Sequence, residues 1–416
     1  MNIIITSESI HELAPPQASF LDQNLSMTGL RVRQSSFLCG VVNLVSAIVL
    51  GFFSQDGMRN FWHSYLLAIC FWTSVSLGAL FFIAIQHLTR SGWSVVIRRI
   101  AEIFAVSVMI NAVTFVPILI GLIFGQSSLY IWNDATLSAT DELIRNKVPY
   151  LNAPFFVVRT IGYFAVWIYL ARRLWLESSQ QDSTGLSELS LGMEKLSAPT
   201  LLACALTVTF AAIDWILSLD PHWFSSIFGI YFFSGSMVAF LATLTLTIDL
   251  LQRRLGLLSL VHAKHRHDLG KLLFGFNCFW AYIAFSQYLL VWYANIPEET
   301  TWFQVRQTGG WGMISLVLVI GHFVLPFLGL MPRRMKENPQ ILATWSGVLL
   351  LMHATDLYWL IFPTLNPTGP LLSVQPLLCL LGIGAFYVAG WLWIAGNSPL
   401  LPVGDPRLAE SLSGTH

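Results

Sequence analysis

Residues 211–235 read AAIDWILSLDPHWFSSIFGIYFFSG and join two apolar segments through a short polar turn. The turn consists of Asp220, Pro221, His222 and Trp223. Each apolar segment is long enough to cross a bilayer as a helix. Asp220-Pro221 has the pattern of an N-cap followed by the first residue of the next helix. The stretch therefore predicts a helical hairpin in a membrane, with its turn at one surface.

Asp214 is a charged residue inside the first of these segments. It lies six residues before the turn, which is about 9 Å into the span at 1.5 Å per residue. A carboxylate at that depth costs about 2.5–3.5 kcal/mol on insertion scales, so it needs a partner, a proton or a hydrated cavity. Asp214 is therefore the first candidate for a functional residue.

A second aspartate, Asp356, repeats this arrangement. Both residues stand in the pattern Ala-x-Asp with a proline seven positions later, near the end of an apolar run. His353 lies one turn before Asp356 on the same helix face. Two acids at matching depth must be protonated, paired or hydrated. We expect them to approach each other or a shared hydrated cavity, with Arg159 or His353 within reach; the alternative is a structural role for each.

The composition excludes several functional classes. The chain is 55% hydrophobic and 11% charged, whereas a soluble domain carries about 25% charged residues. Its formal net charge is zero, so no nucleic-acid partner is expected. The five cysteines are isolated within apolar runs, so we expect no covalent haem c, no cysteine-ligated cluster and no metal site in this chain. Residues 1–35 lack the basic start and apolar core of a signal peptide.

Ten apolar runs have the length needed to cross a bilayer, which predicts an all-α polytopic membrane protein. We place the spans at 36–54, 61–86, 99–125, 153–171, 198–219, 224–250, 270–294, 310–331, 340–363 and 372–395. The repeated aspartate pattern, four spans apart, suggests two tandem four-helix bundles with a peripheral helix at each end of the chain. The predicted units are an N-terminal arm (1–35), a first peripheral helix (36–60), a first bundle (61–223), a second bundle (224–371), a last peripheral helix (372–395) and a tail (396–416).

The basic residues predict the orientation of the chain. Few of the 22 lysines and arginines lie in connections on the side opposite the termini: Arg59, Arg145, Lys147 and Arg306. Short loops rich in lysine and arginine stay in the cytoplasm. We therefore expect both termini and the 172–197 and 251–269 loops in the cytoplasm of a bacterium, and the turn at Asp220 on the outer side of the inner membrane.

Three further polar residues are candidates for a proton path. Glu102 and Asp249 each lie one turn from an arginine, so a local salt bridge is the simpler interpretation of both. His322 lies in the middle of a span, where a packed, hydrogen-bonded histidine is the alternative. His322 and His353 are also the one deep pair that haem b would use. The small residues that admit a porphyrin beside paired ligands are missing, so haem b is not expected.

The segment Ser218–Gly235, with Asp214-Trp215 ahead of it, resembles the F-type membrane subunit of alternative complex III, a bacterial quinol:electron-acceptor oxidoreductase. That subunit belongs to the wider NrfD/polysulfide-reductase-C-like family, and the ten spans extend the resemblance over nearly the whole chain. The resemblance implies a subunit without its own redox cofactor, not catalytic alone, that acts as a scaffold or conducts protons.

The resemblance also implies partners and their cofactors. The partners are a homologous membrane subunit that holds the quinol site, an iron–sulfur subunit, a multihaem cytochrome c subunit, and lipids. Haem c and iron–sulfur clusters are then expected in those subunits, with quinone at the level of the complex.

A proton-coupled secondary transporter is the alternative function. Such a protein has broken helices and polar groups that converge near the middle of the membrane. Here Glu102 and Asp249 lie toward the inner edge, and Asp214 and Asp356 toward the outer edge. The expected middle is largely apolar, which favours the subunit of a larger complex.

Overall fold

The computed structural model describes residues 7–54, 58–125, 129–256, 260–396 and 398–413. Within them the fold is all-α, and ten helices are long and apolar enough to cross a membrane, which confirms the predicted fold class. The helices are α1 (Gly29–Phe53), α2 (Arg59–Leu88), α3 (Val95–Ile123), α4 (Ala153–Thr184), α5 (Ser187–Leu219), α6 (Phe228–Arg253), α7 (Ala263–Ala294), α8 (Gly309–Leu330), α9 (Pro339–Thr364) and α10 (Gln375–Ala395).

The helices pack as two groups of four. In the first bundle α2 contacts α3, α3 contacts α4, α4 contacts α5, and α5 closes the group against α2. In the second bundle α6, α7, α8 and α9 contact one another in the same cyclic order. The bundles meet where α2 packs on α6, while α1 and α10 pack together beside α2. Because α2 and α6 have neighbours on most sides, they are the most deeply buried spans.

Gly78 sets the distance between the two bundles. A Cβ atom at this position of α2 would lie 2.4 Å from the backbone oxygen of Ser236 and 2.6 Å from the Cβ of Phe240, both on α6. Any side chain larger than hydrogen would therefore push the two central helices apart. The absence of a side chain at Gly78 lets the backbones of α2 and α6 pack directly against each other.

The two faces of the molecule differ in their content. The terminal face is the side with the α4–α5 turn and the C-terminal segment 398–413. The distal face is the opposite side, where three short helices lie between spans: Ala135–Thr140, Glu142–Lys147 and Pro297–Gln307. At the terminal face the Ser411 hydroxyl donates to the backbone oxygen of Trp93 at 3.1 Å, which fixes the C-terminal segment against the start of α3.

The long polar connection predicted at 172–197 is not a loop. α4 continues to Thr184 and α5 starts at Ser187, so the connection is two extended helices joined by a turn. Gly185 makes this turn with φ of 64°, a left-handed conformation that glycine adopts without strain. The helix α4 has 32 residues, about 48 Å, which exceeds the roughly 30 Å of a hydrocarbon core. The hairpin thus extends beyond the membrane on the terminal face.

The predicted arm at 1–35 is also largely helical. The helix that contains α1 runs from Ser7 to Phe53 without a break, and only its part from Gly29 onward has the composition of a membrane span. Residues 1–6 lie outside the described residues. The polar segment before the first span therefore continues the axis of α1.

Candidate functional site

Asp214 forms a buried ion pair with Arg159. The Nε atom of Arg159 donates to Oδ2 of Asp214 at 2.8 Å and Nη2 donates to Oδ1 at 2.9 Å, a bidentate geometry. Tyr163, one turn along α4 from Arg159, donates its hydroxyl to Oδ2 at 2.7 Å. The guanidinium also stacks on the ring of Tyr150 at 3.9 Å. The charge of Asp214 is therefore neutralised by a cation with a fixed geometry.

Asp356 occupies the matching position in the second bundle with different partners. Tyr231 of α6 donates its hydroxyl to Oδ1 at 2.5 Å, and Trp280 of α7 donates its indole N–H to Oδ2 at 3.3 Å. The residue is buried, and no lysine or arginine among the described residues forms an ion pair with it. Two neutral donors thus hold Asp356 where a cation holds Asp214.

The two aspartates have separate sets of partners. Arg159 lies within reach of Asp214, as we expected for one of the two acids. Asp356 shares none of these partners, and His353, although one turn away on α9, forms no ion pair with it within the described residues. Each bundle therefore has its own acid site, made from its own helices.

His353 is bound to the first bundle through one ring nitrogen. Its Nε2 lies 2.9 Å from the hydroxyl oxygen of Ser74 on α2, and that hydroxyl donates to the backbone oxygen of Phe71 at 2.6 Å. The serine proton is thereby used, so Nε2–H of His353 donates to Ser74. Nδ1 is buried and has no hydrogen-bond partner among the described residues. In this tautomer Nδ1 carries the lone pair of the ring.

His322 lies on α8 where the helix changes its geometry. Leu318–Val324 is π-helical, between the α-helical parts Gly309–Val317 and Leu325–Leu330. The ring of His322 is fully buried and packs on Trp280, with 3.7 Å between ring centroids. Neither ring nitrogen has a hydrogen-bond partner within the described part of the chain. Single π-helical turns occur often at functional sites, and here the turn carries a protonatable residue.

Asn277 adds a third polar side chain without partners to this region. It lies on α7, one turn from Trp280 toward the terminal face, and neither its amide nitrogen nor its amide oxygen bonds to any described residue. We call the following residues the α6–α9 polar cluster: Tyr231, Asn277, Trp280, His322, His353 and Asp356. Buried polar atoms without partners are rare, and their presence beside a buried carboxyl without an ion pair marks a candidate site. Its carboxyl and imidazole groups are the groups that exchange protons in proteins.

A cleft of about 730 Å³ lies beside this cluster, between α7 and α8. Most of its wall is apolar, with Phe285, Val319 and Phe327 among the lining side chains. At its inner end the cleft reaches Tyr231 and Trp280, the two donors to Asp356. Two members of the cluster thus form part of the cleft wall.

Glu102 belongs to a buried ionic network at the terminal face. Its carboxylate lies 3.2 Å from Nε of Arg99 and 3.8 Å from Nε of Arg98, so the closer partner is Arg99 and not the i±4 arginine that the spacing suggested. Arg98 also pairs with Asp405, and Arg99 with Asp182 at 2.6 Å. Asp249 pairs with Arg253 at 2.7 Å, the local salt bridge expected for it. Both acids are engaged by arginines.

The distal turn differs from its predicted geometry. Asp220 does not cap α6: the helix starts at Phe228, and the Asp220 carboxylate instead accepts from the backbone N–H of His222 at 3.2 Å. Pro221 is therefore not the first helical residue. Trp223 stacks on Trp302 with 4.1 Å between ring centroids, which fixes the turn on the short helix Pro297–Gln307. Eight residues therefore follow α5 before α6 begins.

His222 binds a residue from another part of the distal face. Its Nε2 lies 2.6 Å from a carboxylate oxygen of Asp141. The hydrogen bond with His222 is the largest cause that lowers the pKa of Asp141 below its usual 3.8. Asp141 also caps the helix Glu142–Lys147 by accepting from two backbone N–H groups. The turn and the 129–152 region are thus joined by this contact and by Lys147, whose Nζ donates to the backbone oxygen of Pro221 at 2.5 Å.

Several residues of these sites were not singled out from the sequence. Tyr163, Tyr231, Trp280 and Asn277 are single polar groups in aromatic-rich apolar runs, and nothing in the local pattern distinguishes them from packing residues. Arg306 was assigned to an outer loop but is buried at the distal end of the second bundle. Its presence on the face poor in basic residues was the one signal that could have identified it.

Comparison with known proteins gives no assignment for this chain: no protein-family model matches it, and no curated protein matches it. Within the described residues no group of three or more histidine, cysteine, aspartate or glutamate side chains is arranged to hold a metal ion. The site is therefore defined by its own geometry, as a buried acid with two histidines in the second bundle.

Proposed function

We propose that this protein is a proton-conducting membrane subunit of a bacterial quinol-oxidising complex, not catalytic on its own. The complex would supply the redox chemistry through the partners named above, with quinone, haem c and iron–sulfur clusters bound by them. Two observations support the proposal: the α6–α9 polar cluster, and the resemblance of the segment Ser218–Gly235 to a subunit of such a complex.

The single observation that carries the proton role is the environment of Asp356. The carboxyl is buried with neutral donors only, next to imidazoles that retain free nitrogen atoms. A buried acid without a cation favours its protonated form, whereas a paired acid stays ionised. No hydrogen bond of the described residues joins Asp356 to either imidazole, so proton transfer within the cluster would use bridging water or a side-chain rotation.

The cluster forms the distal half of a proton path. Apolar side chains close the half of the path toward the terminal face. Leu273 lies one turn below Asn277 on α7, and Leu349 lies one turn below His353 on α9; both are fully buried. These apolar side chains separate the cluster from Asp249 at the terminal face. Transfer across the whole membrane would therefore require a movement of α7 or α9 that opens this apolar layer.

The distribution of basic residues supports an orientation with the terminal face in the cytoplasm. The acid of the cluster would then lie toward the outer side of the bacterial membrane. The distal face, with its three short helices, would offer the docking surface for the iron–sulfur and cytochrome subunits.

The test compares proton movement with electron transfer in the intact complex. The tagged protein is purified from its native membrane and reconstituted into liposomes, and protons translocated per quinol oxidised are measured. Asp356→Asn keeps the shape of the side chain but cannot carry the proton, so translocation should be lost while quinol oxidation continues. Thr355→Val, the neighbouring position on α9, is the matched control and should behave as wild type. Normal translocation in an assembled Asp356→Asn complex would refute the proton role.

A proton-coupled secondary transporter is the second candidate, because of a specific observation. The middle of the second bundle is not as apolar as the sequence suggested: His322 lies on a π-helical interruption of α8, with Asn277 nearby on α7. Interrupted helices with polar groups near mid-membrane are typical of transporters. Co-purification with proteins that carry haem c and iron–sulfur clusters supports the subunit; isolation as a single colourless protein supports the transporter.

A further inference from the structure

Arg306 is a buried cation at the distal end of the second bundle. It lies near the end of the short helix Pro297–Gln307, and its side chain is only 2% exposed. Nε donates to the backbone oxygen of Trp359 at 3.2 Å, Nη1 to that of Trp302 at 3.0 Å, and Nη2 to that of Leu360 at 3.0 Å. The guanidinium also stacks on the indole of Trp302 at 3.4 Å.

No carboxylate among the described residues forms a direct ion pair with Arg306. Its partners are carbonyl groups, two of them in the last turn of α9, and no aspartate or glutamate of the described chain forms an ion pair with it. Helix-terminal carbonyls carry only a partial negative charge, equivalent to about half an elementary charge for a whole helix end. Burial lowers the pKa of Arg306, yet an arginine stays protonated in proteins. Asp220, which lines the same pocket, acts on Arg306 electrostatically, but the pocket also contains Arg59, so its two arginines outnumber its one carboxylate.

The position of this charge relates it to the α6–α9 polar cluster. On its distal side Arg306 lines a pocket of about 250 Å³ at the protein surface, together with Asp220 and His63. On its inner side it is close enough to Tyr231 for a direct electrostatic interaction, and Tyr231 donates to Asp356. The guanidinium thus borders the surface pocket and donates to the backbone oxygen of Trp359, a residue that lines the same cleft as Tyr231.

We propose that Arg306 determines the charge selectivity of the distal entrance, by repelling hydronium and other cations that would otherwise exchange freely between the pocket and Asp356. The inference rests on the proposed proton role of the cluster. A fixed arginine that excludes protons and cations from a pore is an established physical device in membrane channels. The barrier prevents passive leak through a path that must conduct only when the complex is working.

The experiment measures passive proton leak in liposomes that contain the purified complex without quinol, with an internal pH-sensitive dye and a valinomycin-induced potassium potential. Arg306→Gln removes the charge and keeps N–H donors; we expect the leak to rise about tenfold, equivalent to ~1.4 kcal/mol of lost barrier. Arg306→Lys keeps the charge and should keep the membrane tight. Equal leak in both variants, at the wild-type level or above it, would overturn the proposal, because a role limited to capping α9 does not depend on charge.

A second pair of variants avoids the buried arginine. Thr301 is exposed and lines the same pocket, so Thr301→Asp places a negative charge opposite Arg306 without changing its hydrogen bonds. Thr301→Asp should raise the leak, whereas Thr301→Asn, its neutral counterpart, should not. If both variants remain as tight as wild type, the electrostatic barrier is wrong, even where Arg306→Gln fails to assemble.

The double variant Arg306→Gln with Asp356→Asn separates the two proposals. If both are correct, the leak returns to the wild-type level, because the path behind the barrier has lost its acid. A leak that persists in the double variant shows that Arg306 seals a route that does not use Asp356, which rejects the proposed path. A tight Arg306→Gln complex with defective Asp356→Asn rejects the barrier alone.

Discussion

The two bundles place an aspartate near the same end of the equivalent helix but stabilise it in opposite ways. In the first bundle Asp214 is fixed by a bidentate arginine and a tyrosine. In the second bundle Asp356 receives a tyrosine and a tryptophan, and histidines without full hydrogen bonding lie around it. The comparison shows that depth in a membrane does not by itself define a functional acid. Under the proposed function, the presence or absence of a cation decides whether the group serves packing or proton exchange.

The largest expected effect concerns removal of the two carboxylates. Asp214→Asn leaves Arg159 buried without its counter-ion, so the free energy of unfolding should fall by about 3–5 kcal/mol. Asp356→Asn removes no ion pair, but its amide nitrogen cannot accept from one of the two donors, so it should cost about 1–3 kcal/mol. Denaturation of the two variants in detergent, followed by intrinsic fluorescence, measures both values. Equal losses would show that the two acids play the same structural role.

A double variant checks the origin of that loss. Replacing both members of the first pair, as Asp214→Leu with Arg159→Met, removes the unpaired charge and should recover most of the stability. A double variant as unstable as Asp214→Asn would mean that the loss comes from packing and not from the ion pair.

A smaller difference in stability is expected between variants of the two tyrosines that donate to the aspartates. Tyr163→Phe removes a hydrogen bond to a carboxylate paired with an arginine and should cost about 1.5–3 kcal/mol. Tyr231→Phe removes a bond to a carboxyl without a cation and should cost about 0.5–1.5 kcal/mol. Only Tyr231→Phe should alter the pH dependence of proton translocation, since it touches the exchanging acid. A changed pH profile in Tyr163→Phe would contradict the assignment of the first bundle to a structural role.

The contact between the two bundles can be tested at Gly78, where α2 packs against α6. Gly78→Ala should destabilise the protein by about 1–3 kcal/mol, because the added methyl meets the backbone of α6. Gly275→Ala on α7 is the control: it meets nothing within 4 Å and should stabilise its helix by about 0.5–1 kcal/mol. Thermal unfolding of both variants measures the difference, and a neutral Gly78→Ala would show that the contact between α2 and α6 is loose.

The smallest effect is the pH dependence of the distal face. The pKa of Asp141 is lowered chiefly by its bond with His222, so the stability from this contact is present above the usual pKa of 3.8 and is lost as pH falls through the lower folded value. His222→Asn should therefore be slightly less stable than wild type near pH 5, and the difference should shrink below pH 4. Melting curves between pH 3 and 6 measure it; a difference that grows on acidification would contradict this sign.

The sequence predicted the ten spans because a bilayer imposes a length and a polarity that local composition records. It failed where polar residues continue a helix beyond the membrane: 172–197 has the serine, glutamate and glutamine content of a loop, yet only Gly185 breaks the helix. It also failed at Asp220, because the stacking of Trp223 on a distant tryptophan delays the start of α6. Contacts of this kind depend on tertiary packing.

The candidate site was predictable in part for the same reason. Asp214, Asp356, His322 and His353 stand out because charged or basic groups are rare in apolar runs. Their partners could not be assigned, since the choice of Arg159 for one acid and Tyr231 for the other follows from which helices face each other. Both aspartates could therefore be identified from the sequence, but the difference between their partners could not.

The π-helical segment Leu318–Val324 gives α8 one residue more than a regular helix of the same register would contain. A π-helical turn closes its hydrogen bonds between residues five apart, so it accommodates one more residue than the same turn of an α-helix. Deleting one residue there would therefore restore regular α-helix and leave the two halves of α8 in their present packing register. Only residues within the segment would be displaced, and these include His322, whose ring packs on Trp280. The extra residue thus affects the placement of His322 and not the course of the span.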